Sequence, residues 1–235
     1  MILGLCCAKN SEAWIEAVLR SHLTICDRVL FLDDGSTDKT GEIAQSFDRV
    51  DYWRQDGLPR NEARDRNGLF EKAHAFRPEW CWWFDGDETL WRGSREDILN
   101  APADKNTLST TLLGLWGDED HVAADWSHPK LHLFRYLPDL CAGYRWRGRG
   151  PHGLHCGGRP RLDAYQNPDR IATVPIVELH WSWMTAAACA EKLRRYREWD
   201  PAFGSFRPYR RFERAPKDIH NLNNYIEGER HATEA

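Results

Sequence analysis

The first ninety residues alternate between short apolar runs and longer stretches with helical spacing. Ile2–Ala8 (ILGLCCA) reads as a strand with almost no polar interruption. Ser11–Arg20 reads as a helix, with Trp14, Ala17 and Val18 at helical intervals and Asn10 or Ser11 as its cap. Arg28–Leu32 (RVLFL) is a second strand of the buried type, broken by the turn Asp33-Asp34-Gly35-Ser36. The pattern then predicts a helix over Thr37–Phe47, a strand over Arg49–Trp53 and a long helix over Pro59–Phe76. Trp80–Phe84 (WCWWF) is a fourth buried strand, and Asp85-Gly86-Asp87 stops it.

Strand–helix–strand alternation with continuously apolar strands predicts a parallel sheet covered by helices on both faces. Such sheets take their ligands beyond the carboxyl ends of the strands. Asp33/Asp34 and Asp85/Asp87 each follow a strand, so parallel pairing should bring both acidic clusters to one rim.

After residue 90 the pattern changes. Thr107–Leu115, Lys130–Tyr136, Tyr144–Arg149 and Ile176–His180 read as strands between polar, Gly/Pro-rich loops, and Thr185–Glu198 as a helix. Residues 204–235 are polar with few apolar anchors. The expected organisation is therefore a first half over 1–100, a second half of the same domain over 101–203, and a tail or lid over 204–235.

The 235 residues suit one domain, and 41% hydrophobic with 29% charged residues supply a core. A net charge of −4 gives no global basic field to collect nucleic acid. The seven cysteines form no CxxC pair, which predicts free thiols in a reducing compartment. The first residues lack a basic segment ahead of their apolar run, and no run approaches the ~18 apolar residues of a membrane span. A cytoplasmic location is expected, with peripheral contact to a membrane left open. Twelve tryptophans are available either to stack on sugar rings or, more ordinarily, to pack the core.

The pair Asp85/Asp87 is the centre of the chemistry. Two carboxylates one residue apart, with glycine between them, can hold Mg²⁺ or Mn²⁺, and the cation then accepts a diphosphate that bare carboxylates would repel. The competing reading is a solvated acidic turn; the apolar strand before it favours the site.

LFLDDGSTDKTGEIA, NEARDRNGLFEKA and WWFDGDE, in this order and after CAKNSEAWI, resemble glycosyltransferase family 2 with the GT-A fold. The resemblance is strong over residues 1–90 and fainter at KLHLFR (130–135) and LHWSWMTAAACAEKLRRY (179–196). It implies a Rossmann-like, mainly parallel α/β sheet flanked by helices, with a smaller mixed sheet on the acceptor side. It also implies metal-dependent, inverting transfer of a sugar from a UDP- or GDP-sugar. The acceptor stays open: a glycan, a lipid-linked glycan, a metabolite, a peptide or a modified nucleic acid.

Carried onto this chain, the resemblance has Asp34 accepting from a base N–H, with Asp33 supporting the turn. Cys7, Ala8 and Asn10 line the base or ribose pocket, and Glu12 is acidic as in many relatives. Arg64 approaches the diphosphate or the base, a helix-surface ion pair being the competing reading. Asp87 is the direct metal ligand and Asp85 holds ribose or reaches the metal through water, with Glu88 behind them. His155 or His180 is a third metal ligand or simply a packed histidine. Lys192 reaches the diphosphate or lies on a solvated helix face, as does Arg195. For the catalytic base the candidates are Asp118, Glu119, Asp120, Asp125 and His152. Asp120 is preferred, against the reading of 118–120 as a solvated acidic loop. Relatives often carry a His-Glu pair where this chain has His152-Gly153.

Three other classes compete less well. A GT-A-like nucleotidyltransferase wants a Gly-rich phosphate loop after the first strand, which CAKNSEAW lacks. A non-catalytic carbohydrate or nucleotide-sugar module should have lost its acidic pair. A phosphatase built on LDDGST wants a second aspartate where Gly35 stands. His155 and Cys156 lack the partner pair that a structural zinc site needs. The segment FRPYRRFER (206–214) could grip an anionic acceptor or form an ordinary amphipathic edge.

Overall fold

Period-two burial along the early strands sets the architecture. In β1 (Ile2–Ala8), Ile2, Cys6 and Ala8 enter one hydrophobic cluster while Leu3 and Leu5 enter another. In β4 (Trp80–Asp85), Trp80, Trp82 and Phe84 join the first cluster, and Cys81 and Trp83 join the second. Successive side chains of a strand point to opposite faces, so both faces of this sheet are buried and the runs read as uninterrupted apolar sequence.

The computed structural model describes residues 1–200 and 215–225. α1 (Ile15–His22) and α2 (Thr40–Gln45) follow β1 and β2 (Arg28–Asp33), and the first cluster joins Ile15, Val18, Leu19 and Ala44 to the strands. β3 (Val50–Arg54) leads to α3 (Glu62–Ala73), whose Leu69, Phe70 and Ala73 fill the second cluster. The side chain of Asn61 caps α3 by accepting from Arg64 N at 2.9 Å. Beyond β4 come β5 (Glu88–Arg92), α4 (Arg95–Leu99), β6 (Thr107–Trp116), β7 (Asp118–Arg135), α5 (Pro138–Cys141), α6 (Asp163–Gln166), β8 (Ile171–His180), α7 (Ala186–Trp199) and β9 (Ile219–Asn221).

Among the described residues the strands form one sheet in the order β3-β2-β1-β4-β7-β6-β8-β5, with β9 beside β7. The β3-β2-β1-β4 portion is parallel, as the strand–helix alternation requires. The later strands do not build a separate sheet: β7 continues from β4 in antiparallel pairing, and β5 returns to pair with β8. The predicted strand over Tyr144–Arg149 is not formed; only an isolated bridge joins Arg149 to Leu154. Gly150 and Gly153 both adopt positive φ there, which turns the chain instead of extending it.

All seven cysteines are free thiols. Trp80, Trp82, Trp83, Trp126 and Trp146 are fully buried, and Trp14, Trp83 and Trp199 border the cavity described below. No helix among the described residues is long and apolar enough to cross a membrane. The segment 206–214 lies outside the described residues.

Candidate active site

β1 lies between β2 and β4, and the register is decisive: Ala8 is opposite Asp33, and Cys7 is opposite Asp85. The two acidic tips therefore flank the carboxyl end of one strand, about 10 Å apart across two strand spacings. A cavity of about 250 Å³ opens at this rim, bordered by Cys7, Ala8, Asn10, Asp34, Arg66, Asp85, Asp87 and Lys192.

The two aspartates of the first tip have different duties. Asp33 is buried and committed: Oδ1 accepts from Ser36 N at 2.7 Å, and Oδ2 accepts from the Tyr52 hydroxyl at 2.9 Å and Arg54 Nη1 at 3.2 Å. It builds the turn. Asp34 borders the cavity; Oδ1 accepts from Gln55 Nε2 at 3.2 Å, while Oδ2 is buried with no donor among the described residues. A buried carboxylate oxygen without a donor is costly unless a ligand supplies one. Arg64 does not border the cavity. It gives Nε to Asp65 Oδ1 at 2.7 Å and holds Nη2 at 3.6 Å from Asp34 Oδ1, bracing both carboxylates from behind. Asn10 Oδ1 accepts from Thr37 N at 2.9 Å, at a residue with positive φ. Glu12 faces elsewhere: its Oε2 accepts from Lys39 N at 2.9 Å, ahead of α2.

The second tip is held from three sides. A Cβ at Gly86 would stand 2.7 Å from Ala8 Cβ and 3.0 Å from Ser11 Oγ, so only glycine lets the turn close on the end of β1. Asp85 N donates to Glu88 Oε2 at 2.7 Å, and Asp87 O accepts from Trp181 N at 2.9 Å. Asp87 Oδ2 lies 3.8 Å from both His180 Nε2 and Lys192 Nζ. Burial would raise the Asp87 carboxyl, but His180, Lys192 and the Ser182 hydroxyl outweigh it and hold it well below the ordinary range. Asp85 is raised by its recess in the protein, with Arg66 opposing, although its side chain stays open to the cavity.

Behind the turn sits a buried charge cluster. Lys130 Nζ donates to Glu88 Oε2 and, at 2.9 Å, to Glu178 Oε1. Thr110 Oγ1 donates to Glu178 Oε2 at 2.8 Å, and His22 Nε2 is 3.6 Å from Glu178 Oε1. Burial pushes Glu88 up to about 8 against the pull of Lys130. Burial also works to raise Glu178, but Lys130 and His22 prevail and lower it to about 2.

Arg60 and Arg66 are cavity residues that the motifs did not single out. Arg66 stacks over Trp83 at 4.7 Å, gives Nε to Glu62 Oε1 at 3.0 Å, and keeps Nη1 buried without an acceptor among the described residues. The Nε of Arg60 is similarly placed. The available signal was helical phase: Glu62 and Arg66 lie four apart on one face of α3, and Arg64 does not share that face.

A second cavity, about 620 Å³, adjoins the first; Asp85, Lys192 and Tyr196 border both. His155 borders it with Nε2 3.2 Å from Asp200 Oδ2, and His180 borders it stacked on Trp183. His152 lines neither cavity, and its Nδ1 meets Arg60 O at 2.8 Å. Asp118 and Asp120 also lie outside both cavities. Asp118 Oδ1 accepts from Asp120 N and pairs with His121, at the exposed start of β7.

Gly153, the position at which the family resemblance leads one to expect glutamate, has φ +54, and a Cβ there would stand 2.6 Å from Asn61 Oδ1 and 3.0 Å from Ala63 N. The loop presses directly on the cap of α3, so no side chain fits. Gly153→Glu is expected to lose about 2 kcal/mol or more of stability and to gain no activity, as read by thermal unfolding beside a turnover assay.

The profile for glycosyl transferase family 2 matches residues 5–152. An uncharacterized protein of Mycobacterium tuberculosis and one of Mycobacterium bovis are each 25% identical over 217 residues, covering 86% of this chain and 51% of the relative. The chain thus spans about half the length of the curated relatives it matches. The crystal structure of S. aureus TarS 1-349 superposes with a TM-score of 0.54 at 16% identity, over 85% of this chain and 66% of that one. The same protein in complex with UDP-GlcNAc gives 0.53 at 15% identity, over 85% and 67%. At such identities the likeness concerns the fold, which is that of the GT-A glycosyltransferases.

Proposed function

The chain belongs to glycosyl transferase family 2, and on that premise we propose that it transfers a sugar from a UDP- or GDP-sugar bound in the first cavity to an acceptor bound in the second. The observation that carries this reading is the Oδ2 of Asp34, which has no donor among the described residues, in a carboxylate that borders the same cavity as Asp87. The N3–H of uracil or the N1–H of guanine would satisfy that oxygen, whereas adenine presents an acceptor there.

A divalent ion suits the residues present. Asp87 and Asp85 offer hard oxygen donors, and Mg²⁺ or Mn²⁺ commonly binds through one or two carboxylates plus phosphate and water. The described residues contain no group of three His, Cys, Asp or Glu able to hold an ion by themselves, so an ion held by Asp87 and Asp85 would need further ligands from a bound diphosphate and water. When bound, the ion offsets charge on the departing diphosphate. Lys192 and Arg66 bring cationic groups to the same cavity and would bind the phosphates directly. Inverting transfer needs a base on the acceptor side. His155, held by Asp200 at the edge of the second cavity, suits that part better than Asp120, which reaches neither cavity.

The test is calorimetric titration of UDP and GDP with and without Mn²⁺, followed by hydrolysis of the matching nucleotide-sugars. Metal-dependent binding and sugar release support the reading, and no binding of either nucleotide overturns it. Asp34→Ala is expected to raise the donor KM by about 10- to 100-fold while kcat changes less than about threefold, because a ground-state hydrogen bond to a charged group is lost. An unchanged KM would remove Asp34 from the nucleotide pocket.

A further inference from the structure

The wall of the second cavity formed by the loop between α5 and α6 differs in charge from the sheet side. Asp85 and Glu88 border the cavity from the sheet, and Glu88 is engaged by Lys130. The loop contributes Arg159 and Arg161, and no carboxylate among the described residues pairs with either. Arg159 Nη2 reaches only the neutral Gln166 Oε1, at 3.3 Å, and its Nη1 is buried with no acceptor among the described residues. Arg161 spends one Nη2 bond on His155 O at 3.1 Å and is otherwise exposed. Burial lowers the Arg159 guanidinium, with no neighbouring anion among the described residues to offset it.

This loop is built into place. A Cβ at Gly158 would overlap the His132 ring, at 2.0 Å from Cδ2, so the glycine lets the loop lie directly on that imidazole. Burial, with Lys130 and Arg66 nearby, holds His132 neutral. Two guanidiniums on a fixed wall of a cavity that opens onto the donor site form a receptor for an anion with several oxygens. Guanidinium forks match phosphate bidentately, and an unpaired buried donor is expensive to keep without a ligand.

We infer that the acceptor is a phosphorylated alcohol whose phosphate seats on Arg159 and Arg161 while its hydroxyl faces the shared Asp85 end of the cavity. This rests on the donor reading above. The phosphate can belong to a soluble metabolite or to a lipid headgroup; the recognition chemistry is the same.

The experiment uses the full chain saturated with UDP and Mn²⁺. Binding of glycerol 3-phosphate and of glycerol is measured by calorimetry, and sedimentation with phosphatidylglycerol vesicles is compared with phosphatidylcholine vesicles. Wild-type protein should take glycerol 3-phosphate or the phosphatidylglycerol vesicles in preference to the neutral counterpart. Arg159→Gln should weaken that binding about tenfold or more, with UDP affinity unchanged. Preference for the soluble probe assigns a metabolite-like acceptor, and preference for the vesicles assigns a membrane one. Equal binding of the neutral and phosphorylated probes, or phosphate binding untouched by Arg159→Gln, overturns the inference. If UDP itself does not bind, the donor reading fails; if UDP binds and neither phosphate probe does, this inference alone fails.

Discussion

Asp87→Asn is expected to lower transfer by about three orders of magnitude or more while leaving the melting temperature within a few degrees of wild type. The carboxylate is the group aimed at both His180 and Lys192, 3.8 Å from each. Its charge is therefore what the proposed metal would answer to, beside the Lys192 ammonium. The fold does not depend on that charge in the same way, since the turn is tied through main chain by Trp181 N to Asp87 O. The decisive comparison is single-turnover transfer beside thermal unfolding of the same preparation. Full activity in the variant with its true donor would refute the metal assignment, and a collapse of the melting temperature would make Asp87 a structural residue instead.

Lys130→Met carries the largest expected loss of stability, about 3–5 kcal/mol. Lys130, Glu88 and Glu178 have side chains no more than 3% exposed, so removing the ammonium leaves the Glu178 carboxylate out of water without its main cationic partner, beside a Glu88 that burial already holds up near 8. Breaking one member of a buried ionic set costs far more than the set is worth against an apolar replacement. Adding Glu178→Gln to Lys130→Met should therefore recover a substantial part of the loss in urea unfolding. Additive losses would show that Lys130 acts through packing alone. The two glutamates respond to pH in opposite directions. Glu178 is depressed from 4.5 to about 2, so its contribution is present above about pH 4.5 and is lost as pH falls toward 2. Glu88 is raised from 4.5 to about 8, so its contribution is present below about pH 4.5 and is lost as pH rises through 8.

The sequence was most legible where local pattern and tertiary environment agree. β1, β2 and β4 are apolar on both faces because helices cover both faces, and their acidic stops fall at the rim by parallel pairing alone. β5 was not legible. ETLWR carries too few residues to show a period, and it becomes a strand only because β8, some ninety positions later, offers an edge. Asp118 and Asp120 had suitable chemistry, but nothing in their spacing tells that β7 begins there on an exposed surface. Arg159 escaped for a different reason. A lone arginine has no sequence signature, and its interest comes from a nitrogen that the fold leaves buried without an acceptor among the described residues.

The unbroken sheet also limits how the protein can move. β4 is laced to β7 and β5 to β8, so the parallel strands of the first half and the later strands share main-chain ladders instead of meeting at a linker. A hinge between them would have to tear hydrogen bonds from the middle of a sheet. Elements attached at the rim escape that constraint, and α7, which brings Lys192 to the boundary of both cavities, is one such element.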